Sequence, residues 1–325
     1  MRAVLCKAFG PPESLVLEEV DDPVAGKGQV VVDVHACAVN FPDVLMIQDM
    51  YQFKPPLPFS PGAEVAGIVS ELGPGVDGLN VGDRVIASPG WGGLAEKAAV
   101  SADSIIPLPD DVDLIHASSF LYAYGTSQYA LKDRGHLKPG ETLVVLGAAG
   151  GVGLAAVELG AVMGANVIAA ASTDDKLELC REYGASMTIN YATEDLKTRI
   201  RELTGGVGAD VVYDAVGGQY SEPALRSMAW EGRFLVIGFA AGEIPKVPLN
   251  LALLKSCDIV GVFWGAFVGR ERDRHRENIA ELMDWWRAGK LRPHVSSTYP
   301  LERAGEAIRE LADRRAKGKV VVTVR

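Results

Sequence analysis

The sequence predicts an α/β protein: a doubly wound, six-stranded parallel sheet inserted into a β-rich domain. Three observations carry this expectation. Between residues 142 and 264, short apolar runs alternate with helical stretches. The first of those runs breaks into the glycine-dense turn "VVLGAAGGVGL" (144–154). The first 100 or so residues are instead Val-rich and turn-dense, and a last apolar run, "KVVVTV", has no helix after it. Strands that are apolar throughout and separated by helices indicate a parallel sheet covered on both faces.

In chain order, "QVVVDVHACAV" (29–39) and "EVAGIVSEL" (64–72) read as strands, with the turn-dense "GPGVDGLNVGDRVIA" after the second. "KPPLPFSPG" (54–62) cannot be helical, because proline fixes φ and lacks a donor. "SSFLYAYGTSQYALKDRG" reads as a helix, and "KPG" (138–140) ends it. Strands are then expected at 142–147, 166–171, 187–190, 210–215, 233–238 and 258–264. The intervening helices are expected at 150–164, 174–183, 194–203, 220–229 and 249–256. Six strands in this pattern match the dinucleotide-binding Rossmann fold. A charged helix (271–288) and an amphipathic helix (301–315) come next, and the final strand returns to the first domain's sheet. The expected division is therefore 1–118 plus 266–325 for the β-rich domain and 119–265 for the nucleotide domain.

Composition narrows the function classes. The net charge of -10 and pI near 5.1 argue against a nucleic-acid or anionic-membrane surface. Cys6, Cys37, Cys180 and Cys257 are scattered, with no CxxC and no Cys/His cluster. They read as reduced thiols of a cytoplasmic protein rather than a disulfide framework or a zinc site. The apolar stretch of "MRAVLCKAFG" is too short for a signal peptide, and the apolar region around 155–172 carries Glu158 and Asn166. The five histidines are scattered, and no Ser/His/Asp arrangement stands out.

The glycine loop departs from GxGxxG by one letter: aligned on Gly150 and Gly153, the first glycine is Ala148. Gly147, one position earlier, can relieve the same turn. Gly150 and Gly151 let the backbone approach a pyrophosphate, and Gly153 allows close helix–strand packing. The helix N-terminus offers free N–H groups to the phosphates. The alternative is a tight turn without a ligand; the repeated strand–helix pattern around the loop favours binding. NAD-specific sites place an acid at the end of the second strand. Here that strand ends "AAASTDDK", with Ala169, Ala170 and Ala171, then Ser172 and Lys176. A small residue, a hydroxyl and a cation suit a 2′-phosphate, so NADPH is expected. Asp174 and Asp175 are assigned to the charge of a helix N-terminus, and the competing reading of Lys176 is a solvated helix lysine.

On "GAAGGVG", "SPGAEVAGIV", "VNFPD" and "INY", taken in order, the whole chain resembles the zinc-independent quinone oxidoreductases of the medium-chain dehydrogenase/reductase superfamily, the zeta-crystallin type included. The resemblance implies a GroES-like catalytic domain around the Rossmann sheet. Zinc-dependent relatives carry "GxCxTD" and "GHE"; this chain has Asn40 at the Cys position and Ala63 at the His position. Without thiolate and imidazole that tetrahedral metal site cannot form, and the four-cysteine structural lobe is missing too. No metal is expected. Hydride transfer to an acceptor already electrophilic by conjugation remains.

The resemblance also assigns residues. Asn40 would lie beside the nicotinamide, and Tyr51 in "MYQFKPPLP" would stack on the acceptor or donate a proton. Asp43 and Glu64 read as structural. Further cofactor contacts map onto Gly150, Gly151, Val152, Thr126, Ser172, Lys176, Tyr191, Phe239, Phe263, Gly265 and Arg315, the last at the 2′-phosphate. The competing readings are a turn asparagine for Asn40, a surface aromatic for Tyr51 and a solvated arginine for Arg315. The family commonly forms homodimers through the last nucleotide-domain strand, and "DIVGVFW" (258–264) is apolar enough to pair edge to edge.

Three functions stay open. The first is an NADPH-dependent, zinc-free oxidoreductase acting on a quinone. The second is an enoyl or enone reductase of the same fold. The third is a non-catalytic NADPH-binding protein.

Overall fold

The computed structural model describes residues Met1–Arg325 and divides into two compact units. One is Met1–Tyr122 with Pro293–Arg325; the other is Ala123–Arg292.

The first unit is built on a seven-stranded sheet. Its central strand, Gln29–Val39, pairs antiparallel with Glu64–Leu72, Lys97–Ser101 and Lys319–Thr323. Both long strands sit at the expected boundaries, because their apolar residues bury into one core with the helix Ala304–Ala312. The C-terminal strand does return to this sheet: Val320 lies opposite Val39. This register gathers polar residues at one end of the central strand. Ala38 lies opposite Glu64 on one side, while Lys319 opens the neighbouring strand on the other.

The second unit holds a six-stranded, all-parallel sheet. Its order is Met187–Asn190, Asn166–Ala171, Thr142–Leu146, Ala209–Asp214, Met228–Val236 and Asp258–Gly261. Numbered along the chain, that is 3-2-1-4-5-6, the doubly wound order. The helices Gly151–Val162, Asp174–Glu182 and Leu196–Leu203 fall where expected. All four cysteines are buried and free, and no helix is long and apolar enough to cross a membrane.

Four expectations need correction. The expected helix 220–229 stops at Leu225, and the fifth strand already begins at Met228. Met228 is buried and pairs with Ala209, and Glu231 takes a left-handed φ of 58° where the ladder shifts register. The last strand ends at Gly261 rather than 264, because Trp264 starts a new helix, Trp264–Arg270, and buries its indole against Gly125. A Cβ on Gly125 would stand 2.9 Å from that ring. The helix expected at 301–315 is a short 3-10 turn followed by Ala304–Ala312.

The fourth correction concerns the domain boundaries. They fall after Tyr122 and Arg292, not after 118 and 265. Residues 266–292 belong to the second unit because the helix Arg272–Arg287 is tied to the helical segment 121–134. Asp133, buried, accepts from Asn278 Nδ2 at 2.6 Å and from Arg274 Nε at 3.0 Å. Glu281 accepts from Lys132 at 2.6 Å and from Gln128 at 2.8 Å. Asp133→Ala leaves the buried Asn278 amide without its acceptor and should lower unfolding free energy by about 2 kcal/mol. Chemical denaturation checks this; an unchanged midpoint would mean the anchor contributes nothing.

Candidate functional site

The residues expected at the site fall in both units. In the second unit, the strand Thr142–Leu146 runs into Gly147, whose φ of 69° is left-handed. Gly150 N–H donates to Gly147 O at 3.0 Å and closes the turn. Gly153 is packed so tightly that an added Cβ would stand 2.2 Å from Gly147 O. The helix Gly151–Val162 then starts with no side chain capping it. Its first N–H groups, on Gly151 and Val152, therefore have no intrahelical acceptor and sit at the positive end of the dipole. This uncapped start, opened by Gly150 and Gly151, fits a dinucleotide pyrophosphate.

The segments around this loop are fixed to it. Ser127 Oγ donates to Val152 O at 2.8 Å, which sets Thr126 beside the loop. Asp214, buried at the end of its strand, accepts from the N–H groups of Val216 and Gly217 at 2.9 and 2.8 Å and from Ser221 Oγ at 2.5 Å. Val216 in turn crowds Gly147, Ala241 N–H donates to Val216 O at 2.8 Å, and Phe239 lies against Gly217. Ser172 and Tyr191 follow neighbouring strands: Tyr191 N–H donates to Ala171 O at 3.1 Å, and the Tyr191 ring lies 4.4 Å from that of Tyr220. Lys176 is half-buried in the helix Asp174–Glu182. The acids of "TDD" are engaged locally in its first turn, Asp174 accepting from Asn190 and Asp175 from Thr173. Gly265 and Phe263, the latter 46% exposed, begin the helix after the opposite edge strand.

In the first unit, Asn40 ends the central strand and precedes the helix Phe41–Met46. Asp43 secures that corner: its carboxylate accepts from the N–H of Asn40 at 2.8 Å and of Gly62 at 2.9 Å. Asn40 itself is 8% exposed. Its Nδ2 donates to Ala38 O at 3.3 Å and Glu64 Oε2 at 3.2 Å, while its Oδ1 accepts from Lys319 Nζ at 2.5 Å. Lys319 Nζ also donates to Glu64 Oε2 at 3.2 Å, and Glu64 Oε1 accepts from Tyr122 N–H at 3.1 Å. Burial pushes the Asp43 carboxyl up to about 6, against the pull of its two N–H donors and Lys319. Tyr51 is half-buried against this core, and burial together with Asp43 raises its phenol. The Tyr122 phenol, hydrogen-bonded to Ser88, is raised by burial and by Asp43. No group of three or more His, Cys, Asp or Glu side chains could hold a metal ion.

Comparison with known proteins agrees with these two halves. Residues 26–110 match the family described as the alcohol dehydrogenase GroES-like domain, and residues 151–286 the one described as zinc-binding dehydrogenase. The quinone oxidoreductase-like protein 2 homolog of Nematostella vectensis is 40% identical over 100% of this chain and 89% of its own length. The chain belongs to the quinone oxidoreductase family. Escherichia coli quinone oxidoreductase, solved as a complex with NADPH, superposes with a TM-score of 0.94 at 29% identity and 100% coverage of both chains. A 2-haloacrylate reductase from Burkholderia sp is 33% identical over 99% of this chain and 98% of its own.

As a quinone oxidoreductase family member the chain is an oxidoreductase, and its residues can be sorted by where the fold puts them. Gly150, Gly151 and Val152 share one turn, to which Ser127, the neighbour of Thr126, is bonded; Phe239 lies against Gly217; Ser172 and Tyr191 follow two adjacent strands, and Lys176 lies on the helix after Ser172. Arg315 is exposed in the first unit, with Asp313 at 3.3 Å. Lys319, Tyr122 and Asp214 were missed by sequence reading. Glu64, read as structural, is fully buried and in direct contact with Asn40. The one signal for Lys319 was a cation opening an otherwise apolar strand; nothing local distinguishes it from Lys317.

The raised Asp43 carboxyl predicts a pH effect. Its charged form is disfavoured in the folded chain, so its contribution to stability falls as pH rises from about 4 to about 6 and is level above. Between a reference near 3.8 and about 6, the change is about 3 kcal/mol. Unfolding free energies of wild type and Asp43→Asn across pH 4–7 should differ by that slope; parallel curves would sink the assignment.

Proposed function

We propose that this chain is a zinc-independent reductase that uses NADPH to reduce a conjugated acceptor, a quinone in the first reading. The observation that carries it is the Asn40 amide: at the position where zinc-dependent relatives supply a thiolate, an amide is held by Lys319 and Glu64. Neither an amide in those bonds nor Ala63 makes a tetrahedral zinc site, so polarising an unactivated alcohol has no Lewis acid to serve it.

When bound, the nicotinamide supplies the hydride. The chain's own residues bind and orient. The N–H groups of Gly151 and Val152 hold the pyrophosphate, with Gly150 clearing its approach. Ser172, Lys176 and Arg315 are assigned to the 2′-phosphate, and Tyr191 to the adenine end. Thr126, Phe239, Phe263 and Gly265 complete the cofactor surface. Asn40 and Tyr51 are assigned to the acceptor, Tyr51 as a stacking surface or proton source. The Escherichia coli relative's complex with NADPH supports the cofactor. The 2-haloacrylate reductase relative supports a second reading, in which the acceptor is an α,β-unsaturated carbonyl compound.

NADPH oxidation across a panel of quinones, enones and enoyl thioesters tests the function, with fastest turnover expected on quinones. No turnover with any class would leave the protein a nucleotide binder. NADPH should bind at least about tenfold more tightly than NADH, a difference of about 1.4 kcal/mol. Lys176→Ala should remove most of that preference by weakening NADPH alone. Equal affinities for the two cofactors in the wild type would sink the 2′-phosphate assignment.

A second copy of the chain is proposed to pair through the edge strand Asp258–Gly261. Ile259 and Phe263 are exposed there, and Leu249, Leu253 and Leu254 nearby, Leu253 at 79%. Such an apolar edge is a liability unless covered. Sedimentation should give a dimer, and Ile259→Lys with Leu253→Lys should shift it towards monomer; a monomeric wild type overturns this assembly.

A further inference from the structure

The proposed reductase function leaves one buried charge unexplained. Lys319 is 6% exposed and Glu64 fully buried. An ammonium and a carboxylate at such depth give up most of their hydration, and apolar residues of similar size are often as stable or more so. Register explains how they meet. Glu64 lies opposite Ala38, and Lys319 directly precedes Val320, which lies opposite Val39. The strand end carrying Asn40 is therefore flanked by a carboxylate on one neighbouring strand and an ammonium on the other.

The three side chains close a triangle. Lys319 Nζ donates to Asn40 Oδ1 at 2.5 Å and to Glu64 Oε2 at 3.2 Å, and Asn40 Nδ2 donates to the same Glu64 oxygen at 3.2 Å. An ammonium only donates and a carboxylate only accepts. Their order around the amide therefore dictates which end of Asn40 is oxygen and which is nitrogen. Either partner alone would bias that choice; both together fix it. The groups facing the triangle are Asp43, Cys37, Tyr51 and Tyr122, all electrostatic neighbours of Asp43 or Glu64. None of them is a cation, so Lys319 is the only positive charge among these groups.

We propose that Lys319 is a positioning residue of the reductase site: it holds the Asn40 amide in one orientation, with Glu64 as the counter-charge that makes its burial tolerable. This rests on the hydride-transfer reading of the site. Lys319 acts through Asn40 and need not touch the acceptor.

The test is kinetic. Lys319→Met alone strands the Glu64 carboxylate and can fail to fold, so the informative variant is Lys319→Met combined with Glu64→Gln. The double variant removes both charges and retains an oxygen for the Tyr122 N–H. Circular dichroism and the NADPH dissociation constant are measured first, then kcat and KM on the best acceptor. Expected are a folded protein, an NADPH dissociation constant within about threefold of wild type, and kcat lower by roughly 10–100-fold, the effect of a misplaced positioning group. Lys319→Arg, which retains a donor for Asn40 Oδ1, should recover part of kcat. A folded double variant with kcat within about twofold of wild type overturns the inference while leaving the function intact. A wild type that fails to oxidise NADPH with every acceptor of the panel removes the underlying reading and this inference with it.

Discussion

The polar half of the first unit depends on one buried ammonium between an amide and a carboxylate. Lys319 meets Asn40 and Glu64 because three adjacent strands bring one end of each into register. Asn40 is at once the end of a strand, the residue ahead of a helix and a corner of the triangle. Asp43 holds the same corner through two backbone N–H groups. Low dielectric strengthens each of these bonds and makes any unpaired member costly. A member left without its partner is therefore costly, and the complete set holds the amide in one orientation.

The second unit reaches rigidity by sterics. Gly147 and Gly153 approach so closely that no side chain fits between them. That contact brings the helix onto the strand end and leaves uncapped N–H groups at the turn. Asp214 then secures the neighbouring loop by accepting from two backbone N–H groups and a serine hydroxyl. In both units a buried carboxylate organises backbone donors.

Several features are legible without the fold. The strands Gln29–Val39 and Glu64–Leu72 are readable to the residue because their Val-rich runs end at turns. The inner strands Thr142–Leu146, Asn166–Ala171 and Ala209–Asp214 are readable because their apolar runs are buried on both faces, whereas the edge strand Asp258–Gly261 is largely exposed. The substitution of Asn40 and Ala63 for zinc ligands is readable because ligand chemistry is a property of residue type. Less legible is the ownership of the helix Arg272–Arg287: a charged helix shows that one face is buried but not against what, and Asp133 lies far earlier in the chain. The last parallel strand reads too long for a related reason, since "VFW" continues apolar whether Trp264 extends the strand or turns to bury against Gly125.

The sequence by itself determined the fold class, the glycine loop and the absence of a thiolate–imidazole pair, because these follow from local periodicity, glycine sterics and residue chemistry. The tertiary structure decided which polar residues share a site. Lys319 is 255 residues from Glu64 in the chain and 3.2 Å from it in space. Only the pairing of the C-terminal strand with Gln29–Val39 creates that neighbourhood, and with it the burial that turns an ordinary lysine into the cation that orients Asn40.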